Sequence, residues 1–158
     1  MKKNKVAFQG ELGAYSHIAI NELFENPEIK TCATFEETFK VAFENDDYKI
    51  VIPLENSLAG RVADIHYLLP KYKLQIHAEH FQKVNHNLLG IKGSKLKDIK
   101  TVRSHSQAIG QCRKVISENN LKAIVSADTA GSARFVSEKK DKGESAIASE
   151  LAAKIYNL

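Results

Sequence analysis

"IVIPLENSLAGRV", residues 50–62, is the stretch on which the reading of this chain turns. An apolar run reaches Pro53, Glu55-Asn56-Ser57 follows at once, and small residues with a glycine come next. A short β-branched run closed by proline and polar turn residues reads as a buried strand, "YKIVIPLE" (48–55). Beyond it, "AGRVADIHYLL" (59–69) sets Val62, Ile65 and Leu69 on one helical face. A strand, a polar turn and a helix in that order form the repeating unit of an α/β fold.

The same order recurs on both sides. "KVAFQG" (5–10) leads to a helix "SHIAINELFE" (16–25), and extended "KTCAT" (30–34) leads to "FEETFKVAFEN" (35–45), with Thr34 placed to cap it. "LQIHAEHFQKVNHNLLGI" (74–91) reads as one long extended segment. "IKTVRSH" (99–105) is a strand, followed by one helix over 106–119 that puts Ala108, Ile109, Cys112, Val115 and Ile116 on a face. "LKAIVSA" (121–127) is a strand and 128–139 a helix. "ESAIASELAAKIYNL" (144–158) carries a further helical pattern at Ile147, Ala148, Leu151, Ala152 and Ile155. Alternating elements predict an α/β fold with parallel pairing, and no repeat or flexible linker interrupts them.

Bulk properties bound the function. The 158 residues suffice for one domain or two small lobes. Hydrophobic content of 43% and charged content of 27% are those of a globular protein. No run approaches a membrane span, and "MKKNKVAFQG" has no apolar signal core behind its basic tip, so a cytoplasmic protein without a membrane partner is expected. The net charge of +4 comes from scattered lysines without a basic stripe or interleaved aromatics, which argues against nucleic acid. Cys32 and Cys112 have neither zinc-site nor disulfide spacing and read as small core residues.

Four strand ends share one chemistry. "AFQGELGAYSH" (7–17), "IPLENSLAG" (52–60), "VRSHSQAIG" (102–110) and "VSADTAGSA" (125–133) each run from apolar residues into small, hydroxyl and amide residues where a helix begins. Ligands of open α/β sheets bind beyond the carboxyl ends of strands. Helix N-termini there offer free N–H groups and a positive dipole end to anions. The residues therefore point to a small-anion site. None of the four is a phosphate-binding GxxxxGK[ST] or GxGxxG loop. His77, Glu79, His80 and His86 have generic spacing and are not read as metal ligands. There is no GxSxG elbow for a nucleophilic serine.

Taken together, the segments resemble the prephenate dehydratase family, including arogenate dehydratases. "FQGELGAYSHIA" resembles the family's opening G-x-x-G-x-[FY]-S segment, and "PLENSLAGRV" its P-x-E-N-S-x-x-G-x-V motif. "VNHNLLG" (84–90) matches a characteristic strand. "SHSQAIGQC" (104–112) is similar to S-H-P-Q-A-x-x-Q-C, with Ser106 where proline is usual. "DTAGSAR" (128–134) and "SAIASELAAKIYNL" (145–158) resemble two further segments, so the likeness is collinear over nearly the whole chain.

The resemblance implies two α/β lobes like the type II periplasmic-binding fold with a ligand cleft between them. The lobes are expected at 1–76, with its C-terminal return segment missing, and at 77–158. It implies decarboxylating dehydration of prephenate to phenylpyruvate in phenylalanine biosynthesis, a branch of aromatic amino acid synthesis from shikimate. No cofactor or metal is needed, and a homo-oligomer, a dimer, is expected. An arogenate dehydratase or a non-catalytic anion-binding module are the alternatives. The residues implied to act are Asn56, Ser57 and Glu55 as catalytic, with Tyr15, Ser16, Asn56, Ser104, His105, Gln107, Thr129 and Ala130 binding substrate.

Within the "ENS" triplet, Ser57 is expected to cap a helix from Ala59 and Asn56 to contact substrate or orient a neighbour. Glu55, which a dianion would repel, is expected to accept hydrogen bonds and fix the turn. The family's catalytic threonine lies in an Asn-x-Thr-Arg-Phe segment, and no Thr-Arg-Phe occurs in these 158 residues. The expectation is therefore a truncated, impaired form, without the regulatory ACT domain that often follows.

Overall fold

Val6, Ala7 and Phe8 are completely buried, and they make Lys5–Gln9 the central strand β1 of a first sheet. Burial on both faces is what a central parallel strand demands. The computed structural model describes residues 4–158 and divides them into two compact units. The first unit comprises the chain up to Gly10 together with Tyr15–Lys83, and the second comprises Glu11–Ala14 with Val84–Leu158.

In the first unit, β1 is followed by α1 (Tyr15–Leu23), β2 (Glu28–Cys32), α2 (Phe35–Glu44) and β3 (Tyr48–Ile50). A two-stranded hairpin, β4 (Glu55–Asn56) and β5 (Gly60–Arg61), precedes α3 (Ala63–Tyr72). The sheet order is β2-β1-β3, all parallel, with Val6 opposite Ile29 and Lys49. Thr34 caps α2 as expected, its Oγ1 accepting from the Glu37 N–H at 3.1 Å. Glu37 reciprocates by accepting from the Ala33 N–H at 2.8 Å. Phe39, Ile65 and Leu68 form the core under α2 and α3, ringed by Phe35, Ile50, Tyr72 and Leu74.

The second unit contains β6 (Asn87–Gly90), a single 3-10 turn (Leu96–Asp98), β7 (Thr101–Ser104), α4 (Ser106–Gln111) and α5 (Arg113–Glu118). Then come β8 (Lys122–Val125), α6 (Thr129–Lys139), β9 (Glu144–Ala148) and α7 (Glu150–Tyr156). The strand order is β6-β9-β7-β8, with β6 antiparallel to β9 and the remaining pairs parallel. Leu89, Ala133, Val136, Ala146, Ala148 and Ala152 pack one side of this sheet. Val102, Ala108, Ile116, Leu121 and Ile147 pack the other.

Glu11–Ala14 is held on this second unit by side chains of α6, α7 and the α7 cap. The Ser149 hydroxyl donates to the Gly13 carbonyl at 2.5 Å, and the Tyr156 hydroxyl to that of Leu12 at 2.9 Å. Arg134 pairs with Glu11 at 3.0 Å. Gly13 has φ +92°, and a Cβ there would lie 2.6 Å from the Ala152 Cα, so both the conformation and the space require glycine.

The α/β class agrees with the sequence reading, and several element bounds do not. Helix α3 starts at Ala63 rather than Ala59, because residues 55–61 close into the hairpin with Gly60 at φ +82°. The helix expected over 106–119 is two, broken at Cys112, whose φ −98° and ψ 13° interrupt the run. Residues 144–148 are a strand, not a helix. Every one of them is buried, between β6 on one side and β7 on the other, and helix α7 begins only after the Ser149 cap. Of the long extended segment 74–91, only Asn87–Gly90 is a paired strand. Cys32 is buried and Cys112 half-buried, and desolvation raises both thiols above their ordinary pKa. No helix of the described residues is long and apolar enough to cross a membrane.

Candidate active site

The residues singled out by sequence divide between the units: Tyr15, Ser16, Glu55, Asn56 and Ser57 in the first, Ser104, His105, Gln107, Thr129 and Ala130 in the second.

In the first unit, β1 delivers the chain toward α1, where Tyr15 and Ser16 occupy the opening turn, both half-buried. His17 beside them is buried and stacks on Phe8, ring centroids 6.0 Å apart. Loss of water around the imidazole pushes its pKa below the ordinary 6.5. Past the carboxyl end of β3, the Glu-Asn-Ser triplet forms the 55–61 hairpin. The Asn56 Oδ1 accepts from the backbone N–H groups of Leu58 and Ala59, each at 2.9 Å. This is an Asx turn, in which the side chain replaces a backbone acceptor.

That geometry corrects two expectations. Ser57 caps no helix: it sits exposed on the turn, and the N-cap of α3 is Val62, without a side-chain bond. The turn is fixed by Asn56, whereas Glu55 is exposed and faces Arg61 across the hairpin. With its carbonyl oxygen committed to the turn, Asn56 has its amide Nδ2 as the group to offer a ligand.

In the second unit, β7 and β8 run parallel and end side by side, the Ser126 N–H donating to the Ser104 carbonyl at 2.9 Å. Helices α4 and α6 begin at that edge. The His105 Nδ1 caps α4 by accepting from the Gln107 N–H at 3.3 Å. Asp128 caps α6, its Oδ1 accepting from the Gly131 N–H at 2.6 Å. Ser132 donates to the Asp128 carbonyl at 2.7 Å and stands 2.5 Å from the Ser126 hydroxyl. The Asp128 carboxylate thus occupies the start of α6, where an anion would otherwise be drawn.

The Ser104 and Ala130 side chains are turned into the core. Ser104 is fully buried, and its hydroxyl donates to the Ile147 carbonyl at 2.6 Å, tying β7 to β9. The Ala130 side chain is fully buried inside the α6 packing, so only its backbone can face a ligand. His105 and Thr129 are half-buried and Gln107 is exposed at the same edge. The side chains offered in the two units are therefore amides and hydroxyls, with His105. Such donors bind a carboxylate without adding a fixed positive charge.

Sequence reasoning missed Ser149, which caps α7 by accepting from the Ala152 N–H at 3.0 Å while holding Gly13. The Ser149-Glu150 pair was the available signal, a hydroxyl cap followed by an acid in the first turn.

A family model described as prephenate dehydratase matches residues 6–158. A bifunctional N-acyl-homoserine lactone acylase/prephenate dehydratase of Komagataeibacter europaeus is 43% identical over 97% of this chain and 54% of its own length. An arogenate dehydratase/prephenate dehydratase of Arabidopsis thaliana, chloroplastic, is 40% identical over 99% of this chain and 40% of its own. The crystal structure of the prephenate dehydratase of Staphylococcus aureus superposes with a TM-score of 0.80 at 23% identity, covering 96% of this chain and 57% of that one. The last match establishes the fold, two α/β lobes of the periplasmic-binding-protein type. The chain spans about half the length of the relatives it matches, 54% and 40% in these two.

Proposed function

We propose that this chain, which belongs to the prephenate dehydratase family, binds prephenate and supports its decarboxylating dehydration to phenylpyruvate in phenylalanine synthesis. The observation that carries the reading is the uncharged donor set at strand ends within the matched residues: Asn56 in one unit, Gln107 and Thr129 in the other.

The chemistry explains why such donors suit the substrate. Prephenate bears two carboxylates and a ring hydroxyl. The ring carboxylate leaves as carbon dioxide, its bonding pair moves into the ring, and the hydroxyl departs as water once protonated, leaving an aromatic ring. A donor at the departing oxygen lowers the barrier. A guanidinium clamp on the ring carboxylate would hold a charge that disperses in the transition state, which raises the barrier. Amides and hydroxyls on the side-chain carboxylate avoid that penalty. Without a Thr-Arg-Phe segment in residues 1–158 to supply the family's threonine, turnover is expected to be low while binding persists. The reading sets the protein in the cytoplasm, as a homodimer.

Incubation with prephenate, followed by phenylpyruvate absorbance in alkali, tests the reading. Slow product formation that an Asn56→Asp change abolishes supports it, and absence of both turnover and saturable prephenate binding refutes it. Arogenate and an N-acyl-homoserine lactone belong in parallel reactions, because the relatives' names include both chemistries. Faster reaction with either would reassign the substrate.

A further inference from the structure

The segment between β1 and α1 turns on two glycines. Gly10 and Gly13 have φ +120° and +92°, and the Ala14 N–H donates to the Glu11 carbonyl at 3.1 Å, closing residues 11–14 into a turn. Glycine leaves a chain more conformations than any other residue, so such a turn keeps one geometry only where its surroundings fix it. Here side chains of the second unit fix it. The Ser149 hydroxyl, 2% exposed, donates to the Gly13 carbonyl, and the Tyr156 hydroxyl donates to the Leu12 carbonyl. The Arg134–Glu11 pair adds little, because Arg134 is exposed and shares its guanidinium with Glu138. The Ser149 bond dominates, since it is shielded from competing water. The same Ser149 oxygen accepts from the Ala152 N–H, so one hydroxyl fixes both the start of α7 and the turn.

Directly after the turn come Tyr15 and Ser16, which open α1. We propose that Ser149 and Tyr156 are positioning residues for prephenate recognition: they hold the 11–14 turn, and through it the entry of the chain into Tyr15 and Ser16. The inference rests on the reading of Tyr15 and Ser16 as prephenate contacts. Ser149 and Tyr156 are not such contacts, because their hydroxyl protons are committed to the Gly13 and Leu12 carbonyls. A binding residue is only as well placed as the backbone that carries it. Misplacement by about 1 Å, from a change far from the chemistry, costs on the order of a hundredfold. The two anchors differ in what else they do. Removing the Ser149 hydroxyl frees the turn and also uncaps α7. The Tyr156 ring packs against the Ala133–Val136–Ala152 cluster, so its hydroxyl can be removed with the ring left in place.

Titration calorimetry with prephenate and hydrogen exchange of residues 10–17, both on the 158-residue chain, test it. Ser149→Ala should weaken prephenate affinity at least about tenfold, and Tyr156→Phe about threefold. Ser149→Thr keeps the hydroxyl and should retain wild-type affinity. The matched control is Ser137→Ala, whose lost hydroxyl bonds the Tyr156 carbonyl at 2.7 Å, tying α6 to α7 rather than to the turn. It should lower stability and leave affinity unchanged. Urea denaturation verifies that every variant is folded under the titration conditions. The 10–17 amides should exchange faster in Ser149→Ala and Tyr156→Phe, and at the wild-type rate in Ser137→Ala. An equal loss of affinity in Ser137→Ala would reduce the effect to general stability and overturn the proposal. Faster exchange with unchanged affinity would overturn it as well, since the turn would then be anchored without bearing on recognition. A wild-type chain that binds no prephenate refutes the functional reading and the proposal together. A wild-type chain that binds it no better than Ser149→Ala and Tyr156→Phe refutes the proposal alone.

Discussion

Asn56 holds the turn that carries it: one side-chain oxygen accepts from both the Leu58 and the Ala59 N–H, at 2.9 Å each. Turn formation and ligand contact are thus split between the two ends of one amide. Asn56→Ala removes both, and should lower stability by about 1 kcal/mol and weaken prephenate binding. Asn56→Asp keeps the acceptor and discards the donor, so it should hold stability while weakening binding of the dianion. Glu55→Gln, at an exposed position, should leave stability within about 0.5 kcal/mol. Urea denaturation and titration calorimetry on the three variants separate these effects.

Ser104 is read as a tie between strands and not as a ligand contact. Ser104→Ala should cost about 1–3 kcal/mol, the range for leaving a buried carbonyl, here that of Ile147, without its donor. Prephenate affinity should be unchanged in the folded fraction. A folded variant with weakened affinity would return Ser104 to the site.

Gly13→Ala meets two obstacles at once, the positive φ and the Ala152 backbone 2.6 Å from the new Cβ. The strained backbone alone costs about 1 kcal/mol or more. The variant should melt several degrees lower, and thermal denaturation followed by dichroism checks it. By the same logic, Phe39→Ala, at a completely buried position, should cost about 3–5 kcal/mol.

His17 makes stability depend on pH. Burial lowers its pKa in the folded chain, so the unfolded chain binds the proton more readily. The stability that the neutral imidazole permits is fully present above the ordinary value of 6.5 and is lost as pH falls from there through the lower folded value. His86, also lowered by desolvation, acts in the same sense. Urea midpoints should therefore decline below that pH, and His17→Leu should flatten the decline.

The alternation of strand and helix, the Thr34 cap and the turn at Glu-Asn-Ser were legible because each rests on local chemistry. Residues 144–148 were not, since alanines and an isoleucine at those spacings fit a helix as well as a strand. Their strand state is imposed by β6 and β7 on either side. The contacts that hold Glu11–Ala14 were invisible for the same reason: Ser149 and Gly13 meet only in the folded chain. In the candidate site, residue types were legible and directions were not. Ser104 and Ala130 have suitable chemistry or size, but the period-two strand and the α6 packing turn their side chains into the core.

The central claim is that these 158 residues recognise prephenate through uncharged donors. Titration calorimetry with prephenate measures it most directly. Saturable binding, weakened at least about tenfold by Asn56→Asp and by Gln107→Ala with folding intact, is the result expected. No saturable binding by the folded wild-type chain, or binding indifferent to both substitutions, would contradict it.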